Sequence, residues 1–149
     1  MSDSTLAGAP VADGGGTGAA AAAAPPPPEI LVVDDEDDVR LLIVRILQRE
    51  RYVVHEARHG LEALAVLAVA PRVRLVVSDV FMMEMDGYEL GRRIGERWPD
   101  LPVLYISGYL EAHELPPGPD GRPRRFLRKP FGPDALLRQV WAVVPRLPR

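Results

Sequence analysis

Five short runs set the strongest limit on what this chain can fold into: "EILVVDD" (29–35), "YVVHEA" (52–57), "RLVVSDV" (74–80), "PVLYIS" (102–107) and "RFLRK" (125–129). The first, third and fourth hold apolar residues in unbroken succession. A strand with one wet face alternates apolar and polar residues, whereas a continuous run suits a strand covered on both faces, as in a parallel sheet. Longer amphipathic stretches lie between the runs. "DVRLLIVRILQRE" places Val39, Leu42, Ile43, Ile46 and Leu47 on one helical stripe. "GLEALAVLAV" is a second helix stopped by Pro71, and "YELGRRIGERW" a third, opened by Asp86 and Glu89 as a capping box. "PDALLRQVWAVV" is a last helix with Pro133 in its first turn. Alternating strand and helix predicts an α/β domain with a doubly wound five-stranded parallel sheet and right-handed crossovers. Ligands of such sheets bind in the crevice beyond the carboxyl ends of the strands.

Two stretches fall outside the alternation. "LEAHELPPGPDGRPR" (110–124) holds four prolines and two glycines where a fourth helix is due, so a shortened fourth helix and a loop are expected. Residues 1–28, including "GAPVADGGGTGAAAAAAPPPP", have few large side chains to bury and read as a disordered Ala/Gly/Pro-rich tail, with Pro25 to Pro28 an extended spacer. The folded domain is expected over 29–145, with 146–149 a C-terminal tail. A formal charge of −3 points to neither a polyanionic nor a polycationic partner. The chain has no cysteine, which removes disulfides and thiolate metal sites, and a cytoplasmic location is expected. No membrane span is expected, because no run of about eighteen apolar residues occurs.

The polar residues at the carboxyl ends of the strands form a constellation. Asp34 and Asp35 end the first strand, Asp79 the third, Ser107 the fourth and Lys129 the fifth. In the flavodoxin-like order 2-1-3-4-5, strands one and three are neighbours, roughly 5 Å apart, so the three aspartates converge. Three carboxylates in one crevice require positive charge to stay ionised. Lys129 supplies some, and Mg²⁺ suits an all-oxygen site of this kind. Glu36, Asp37 and Asp38 read instead as the start of a helix, where negative charge is favoured. His55, His59 and His113 lack metal-ligand spacing and read as structural or exposed. Arg122, Arg124, Arg125 and Arg128 read as a solvated face rather than a nucleic-acid surface, so no nucleic-acid partner is expected.

"LVVDDE", "VVSDVFMMEMDG", "VLYISGY" and "FLRKPF", in this order and at this spacing, resemble the receiver domain of bacterial response regulators, over residues 29 to 145. The resemblance implies a phosphoacceptor switch that catalyses only its own phosphorylation and dephosphorylation. Asp79 would take a phosphoryl group from a phosphohistidine on a sensor histidine kinase or phosphotransfer protein. Asp35, Asp79 and the backbone carbonyl of Phe81 would bind Mg²⁺, with Asp34 acting through water, and Lys129 would pair with Asp79. Ser107 and Phe126 would be the switch residues. Phe81 and Tyr109 occupy positions that tune hydrolysis in the family, and two large aromatics there imply slow loss of phosphate. Met83 and Glu84 stand where the family usually has proline then glycine. With the last helix ending near residue 145, output is expected to pass through a separate downstream effector. The competing readings are a receiver-like interaction module that takes no phosphate and an Mg²⁺-dependent phosphohydrolase. The latter would need a second acid at position 81, which is Phe.

Overall fold

The computed structural model describes residues 26–109, 116–118, 121 and 124–148. Five strands alternate with helices: β1 (Glu29–Val33), α1 (Asp37–Arg49), β2 (Val53–Ala57), α2 (Gly60–Val69), β3 (Val73–Asp79), α3 (Gly87–Arg97), β4 (Val103–Ser107), β5 (Arg125–Arg128) and α4 (Pro133–Trp141). All pairings are parallel and the order is β2-β1-β3-β4-β5, as the alternation predicted. Residues 1–25 of the expected tail over 1–28 lie outside the described residues, as do His113 and most of the expected short helix between Ser107 and Arg125. No helix among the described residues is long and apolar enough to cross a membrane.

The continuous apolar runs have the predicted cause, because successive residues of one strand feed two different cores. Ile30 and Val32 of β1, Leu75 and Val77 of β3, and Leu104 and Ile106 of β4 face Ile43, Val44 and Leu47 of α1 and Leu136, Leu137 and Val140 of α4. Leu31, Val33 and Val76 face Ala63 and Leu67 of α2 and Leu90 and Ile94 of α3. Each fully buried aliphatic side chain contributes about 1.5–3 kcal/mol. A smaller cluster of Val80 and Tyr105, with Tyr88 and Phe126 against it, continues the second face toward β5.

The buried stripe of α1 is rotated from the predicted one. Arg40, Ile43, Val44, Ile46 and Leu47 are buried, while Leu42 is half exposed. The pattern 40, 43, 44, 47 is a regular helical face, but its first member is an arginine, which a hydrophobicity reading passes over. At α3, Asp86 accepts from the Glu89 amide at 2.8 Å. Glu89 does not return the capping bond; its carboxylate accepts from Arg92 and Arg93 instead. His59 caps α2, its Nδ1 accepting from the Glu62 amide at 3.2 Å. Residues 145–148 lie along the domain: Tyr52 Oη donates to the Pro145 carbonyl at 2.8 Å, Arg51 to the Pro148 carbonyl at 3.0 Å, and Arg146 stacks on Trp141.

Candidate functional site

The sheet order carries Asp34, Asp35 and Asp79 to one place. Asp34 and Asp35 follow β1, Asp79 closes β3, and these strands are hydrogen-bonded neighbours with Val33 opposite Ser78. Each aspartate offers an oxygen that lies within 4.8 Å of the others. Asp34 is 1% exposed and Asp79 6%, whereas Asp35 is open to solvent. Lys129, just past β5, stands among the acids, its Nζ 3.3 Å from Asp34 Oδ2, 3.6 Å from Asp79 Oδ1 and 3.8 Å from Glu36 Oε1. The lysine is therefore shared, and nearest to Asp34 rather than Asp79. Glu36, read as a helix-start residue, caps α1 by backbone alone and also faces Lys129.

Backbone donors fix the acids. Asp79 Oδ1 accepts from the Val80 amide at 2.9 Å, Asp34 Oδ1 from the Glu36 amide at 2.9 Å, and Asp35 Oδ2 from the Met83 amide at 3.3 Å. The loop after β3 is drawn in by Gly87, whose amide donates to the Val80 carbonyl at 2.8 Å. A Cβ at Gly87 would overlap the Asp79 carbonyl, so the "DG" of "MDG" has a steric reason. Glu84 in the same loop has φ of 70°, in the left-handed region where glycine is favoured.

The electrostatics follow from burial. Desolvation, with the Asp34 charge second, pushes the Asp79 carboxyl up to about 6 against the pull of Lys129 and the Val80 amide. Desolvation also raises Asp34 above the ordinary carboxylate value, more than the Glu36 amide and Lys129 lower it. Burial pulls the Lys129 ammonium down, but Asp34 and Asp79 more than restore it. Three carboxylates against one ammonium leave the ionised cluster with two negative charges. Two surplus charges on hard oxygen donors fit a divalent cation such as Mg²⁺.

The other predicted site residues take up places around this crevice. Ser107 is fully buried at the end of β4, its Oγ accepting from the Tyr109 amide at 3.1 Å, and its carbonyl accepts from the Lys129 amide at 2.9 Å. Phe81 and Tyr109 meet edge to face with ring centroids 5.6 Å apart, 47% and 84% exposed. Phe126 is half buried against Val80 and Tyr105. One member of the supposedly solvated basic set turns inward: Arg124 donates to Tyr105 Oη at 2.9 Å and to the Pro116 carbonyl at 2.7 Å. Tyr105 can lie there because Gly91 of α3 leaves room for its hydroxyl, which a Cβ would meet. Arg125 and Arg128 are exposed at the surface, and Arg122 lies outside the described residues.

The model of the response regulator receiver domain matches residues 30–141, most of the folded chain. The chain belongs to the response regulator receiver family. As a receiver it is 33% identical over 102 residues to the response regulator receiver protein CpdR of Brucella abortus, covering 68% of this chain and 84% of that protein. It is 44% identical over 103 residues to the sensor kinase CckA of the same organism, covering 68% of this chain but only 11% of the kinase. The structure of the Vibrio cholerae chemotaxis protein CheY4 aligns with a TM-score of 0.73 at 29% identity, over 80% of this receiver and all of CheY4.

Sequence reasoning missed a buried charged residue beside the site. Arg40 reaches under the acid loop, donating to the Asp34 backbone carbonyl at 2.9 Å. The available signal was its place on the buried stripe three, four and seven residues before Ile43, Val44 and Leu47.

Proposed function

We propose that this receiver accepts a phosphoryl group on Asp79 from a phosphohistidine of a sensor histidine kinase or phosphotransfer protein. The observation that carries this reading is the convergence of the buried carboxylate of Asp79 with two further acids, Asp34 and Asp35, and a shared lysine at the mouth of the sheet. Asp79 Oδ1 is engaged by the Val80 amide, so Oδ2 is assigned as the attacking oxygen. It forms a P–O bond as the P–N bond to the histidine breaks, and the electron pair leaves on the imidazole nitrogen. The cost of the step is the approach of one anion to another, and electrostatic neutralisation lowers it. Lys129 shifts from its shared position toward the phosphoryl oxygens, and the Ser107 hydroxyl donates a hydrogen bond to one of them. Asp35, Asp79 and the Phe81 carbonyl would hold Mg²⁺, with Asp34 acting through water. Bound there, the ion supplies Lewis-acid neutralisation of phosphoryl charge.

Output follows from the pull on Ser107. Its displacement at the end of β4 opens space beside Tyr105, and Phe126, paired with Tyr105 in register, moves into it. The changed surface over β4 and β5 is offered to a separate effector protein, a two-state equilibrium biased by phosphorylation. The domain over 29–145, with 146–149 beyond it, is the unit to which this role is assigned.

The test is incubation with Mg²⁺ and acetyl phosphate, with the adduct mapped by mass spectrometry. A stoichiometric adduct on Asp79 that is lost in Asp79→Asn is expected. No adduct would leave the interaction-module reading standing, and sustained turnover of external phosphate esters would favour the hydrolase.

A further inference from the structure

Arg40 has a placement that none of these roles uses. Most arginines keep their charge in water, yet this one is 5% exposed beneath the acid loop. Its guanidinium joins three segments: Nη1 donates to the Asp34 carbonyl at 2.9 Å, Nη2 to Asp37 Oδ1 at 2.6 Å in the first turn of α1, and Nε to Glu56 Oε1 at 3.0 Å on β2. A planar fork of fixed donors can do this, whereas a lysine ammonium, a compact point charge, cannot match all three directions.

The consequence for Asp34 is complete. Its amide donates to the Ala57 carbonyl at 3.1 Å, its carbonyl accepts from Arg40, Oδ1 accepts from the Glu36 amide at 2.9 Å and Oδ2 faces Lys129 at 3.3 Å. The carbonyl that Arg40 grips lies in the same rigid peptide plane as the Asp35 amide. Gripping it sets the direction in which the chain leaves toward Asp35. Arg40 touches the backbone of Asp34 and not its carboxylate, and its own charge is matched by Asp37 and Glu56. It thus orients the acids without spending the negative charge a cation would use.

We propose that Arg40 is a positioning residue for cation binding and phosphoryl transfer, locking the peptide plane between Asp34 and Asp35 so that both carboxylates face Asp79. This rests on the Mg²⁺ site proposed above. The test uses the full chain with Arg40→Met and Arg40→Lys, and Val140→Ala as a destabilised control whose lesion lies in the core against α4. Mg²⁺ affinity is read from the ¹⁵N shift of the Val80 amide, and loop order, without metal, from hydrogen exchange of the Glu36 amide, at a temperature where all variants are folded.

Removing an outer residue that orients metal ligands weakens affinity about 10–100-fold. Arg40→Met is expected in that range with faster Glu36 exchange, Arg40→Lys in between, and Val140→Ala like the wild type in both. Wild-type Mg²⁺ affinity and unchanged Glu36 exchange in Arg40→Met would overturn the proposal, as would an equal loss of affinity in Val140→Ala. If the wild type shows no Mg²⁺-dependent shift, the proposed function fails, and Glu36 exchange alone decides the role of Arg40. Should Arg40→Met not fold, Arg40→Lys and Glu56→Gln carry the same comparison.

Discussion

Replacing Asp79 by asparagine should make the metal-free protein more stable at neutral pH. Asp79 is nearly buried, and its carboxyl is pushed from 3.8 to about 6, first by desolvation and then by the charge of Asp34. A folded-state pKa above the unfolded value means that the folded chain binds the proton more tightly. The stability this protonation supplies is fully present below about 3.8 and is lost as pH rises through about 6. Above that window the wild type carries the whole penalty of an ionised, crowded carboxylate. A rise of about two pKa units corresponds to about 3 kcal/mol. The attraction to Lys129 is already contained in that value, and relaxation of the neighbours brings the expected gain for Asp79→Asn to roughly 1–3 kcal/mol.

Urea unfolding followed by circular dichroism, without divalent metal, measures this between pH 4 and 8. The two proteins should be close near pH 4, separate as pH rises from 4 to about 6, and keep a constant difference above that. Adding Mg²⁺ should then stabilise the wild type by about 2.7 kcal/mol at one hundred times its dissociation constant, and Asp79→Asn much less. An Asp79→Asn protein no more stable than wild type at pH 8, or a difference that does not shrink toward pH 4, would refute the reasoning.

Three further outcomes test the site's surroundings. Glu84→Gly should stabilise the fold by roughly 0.5–1 kcal/mol in the same urea assay, because relief of the left-handed strain of about 1–2 kcal/mol exceeds the added entropy of the unfolded chain. Gly87→Ala should cost more than about 2 kcal/mol, since its Cβ would meet backbone at Asp79 and Val80, which cannot move aside as a flexible side chain can. The double substitution Phe81→Asn, Tyr109→Glu should speed loss of phosphate from Asp79 by opening the aromatic pair to water; equal or slower loss, followed by intact-mass spectrometry, would remove the shielding argument.

What could be read from the sequence was whatever repeats with a period or sits at a strand end. The runs "EILVVDD" and "RLVVSDV" announced strands covered on both faces, and the topology then forced Asp34, Asp35 and Asp79 together. Position along the chain suffices for this, because a carboxylate that ends a parallel strand has only one crevice to enter. The capping of α3 was half legible: Asp86 could be predicted, but the choice of Glu89 between its own cap and two nearby arginines depends on side-chain geometry. The T-shaped contact of Phe81 with Tyr109 was equally out of reach, since it depends on how two side chains turn and not on their positions along the chain.

The acid run itself shows why the remaining part was hidden. Asp34 reads as a crevice acid and Asp37 as a helix-start residue, yet Arg40 joins the two, taking the backbone of the first and the carboxylate of the second. A hydropathy scale scores arginine as surface, and a motif reading records only the acids. Neither notices that a buried strand end followed by a helix leaves a carbonyl facing inward, which must find a donor. The next buried position on α1 is residue 40, and β2 beside it offers Glu56 to balance the charge of any cation placed there. The same reasoning predicts a penalty for an apolar residue at position 40 even though it would extend the stripe of Ile43, Val44 and Leu47. The inward carbonyl of Asp34 would lose its partner, at a cost of about 1–3 kcal/mol that the added apolar contact has to exceed.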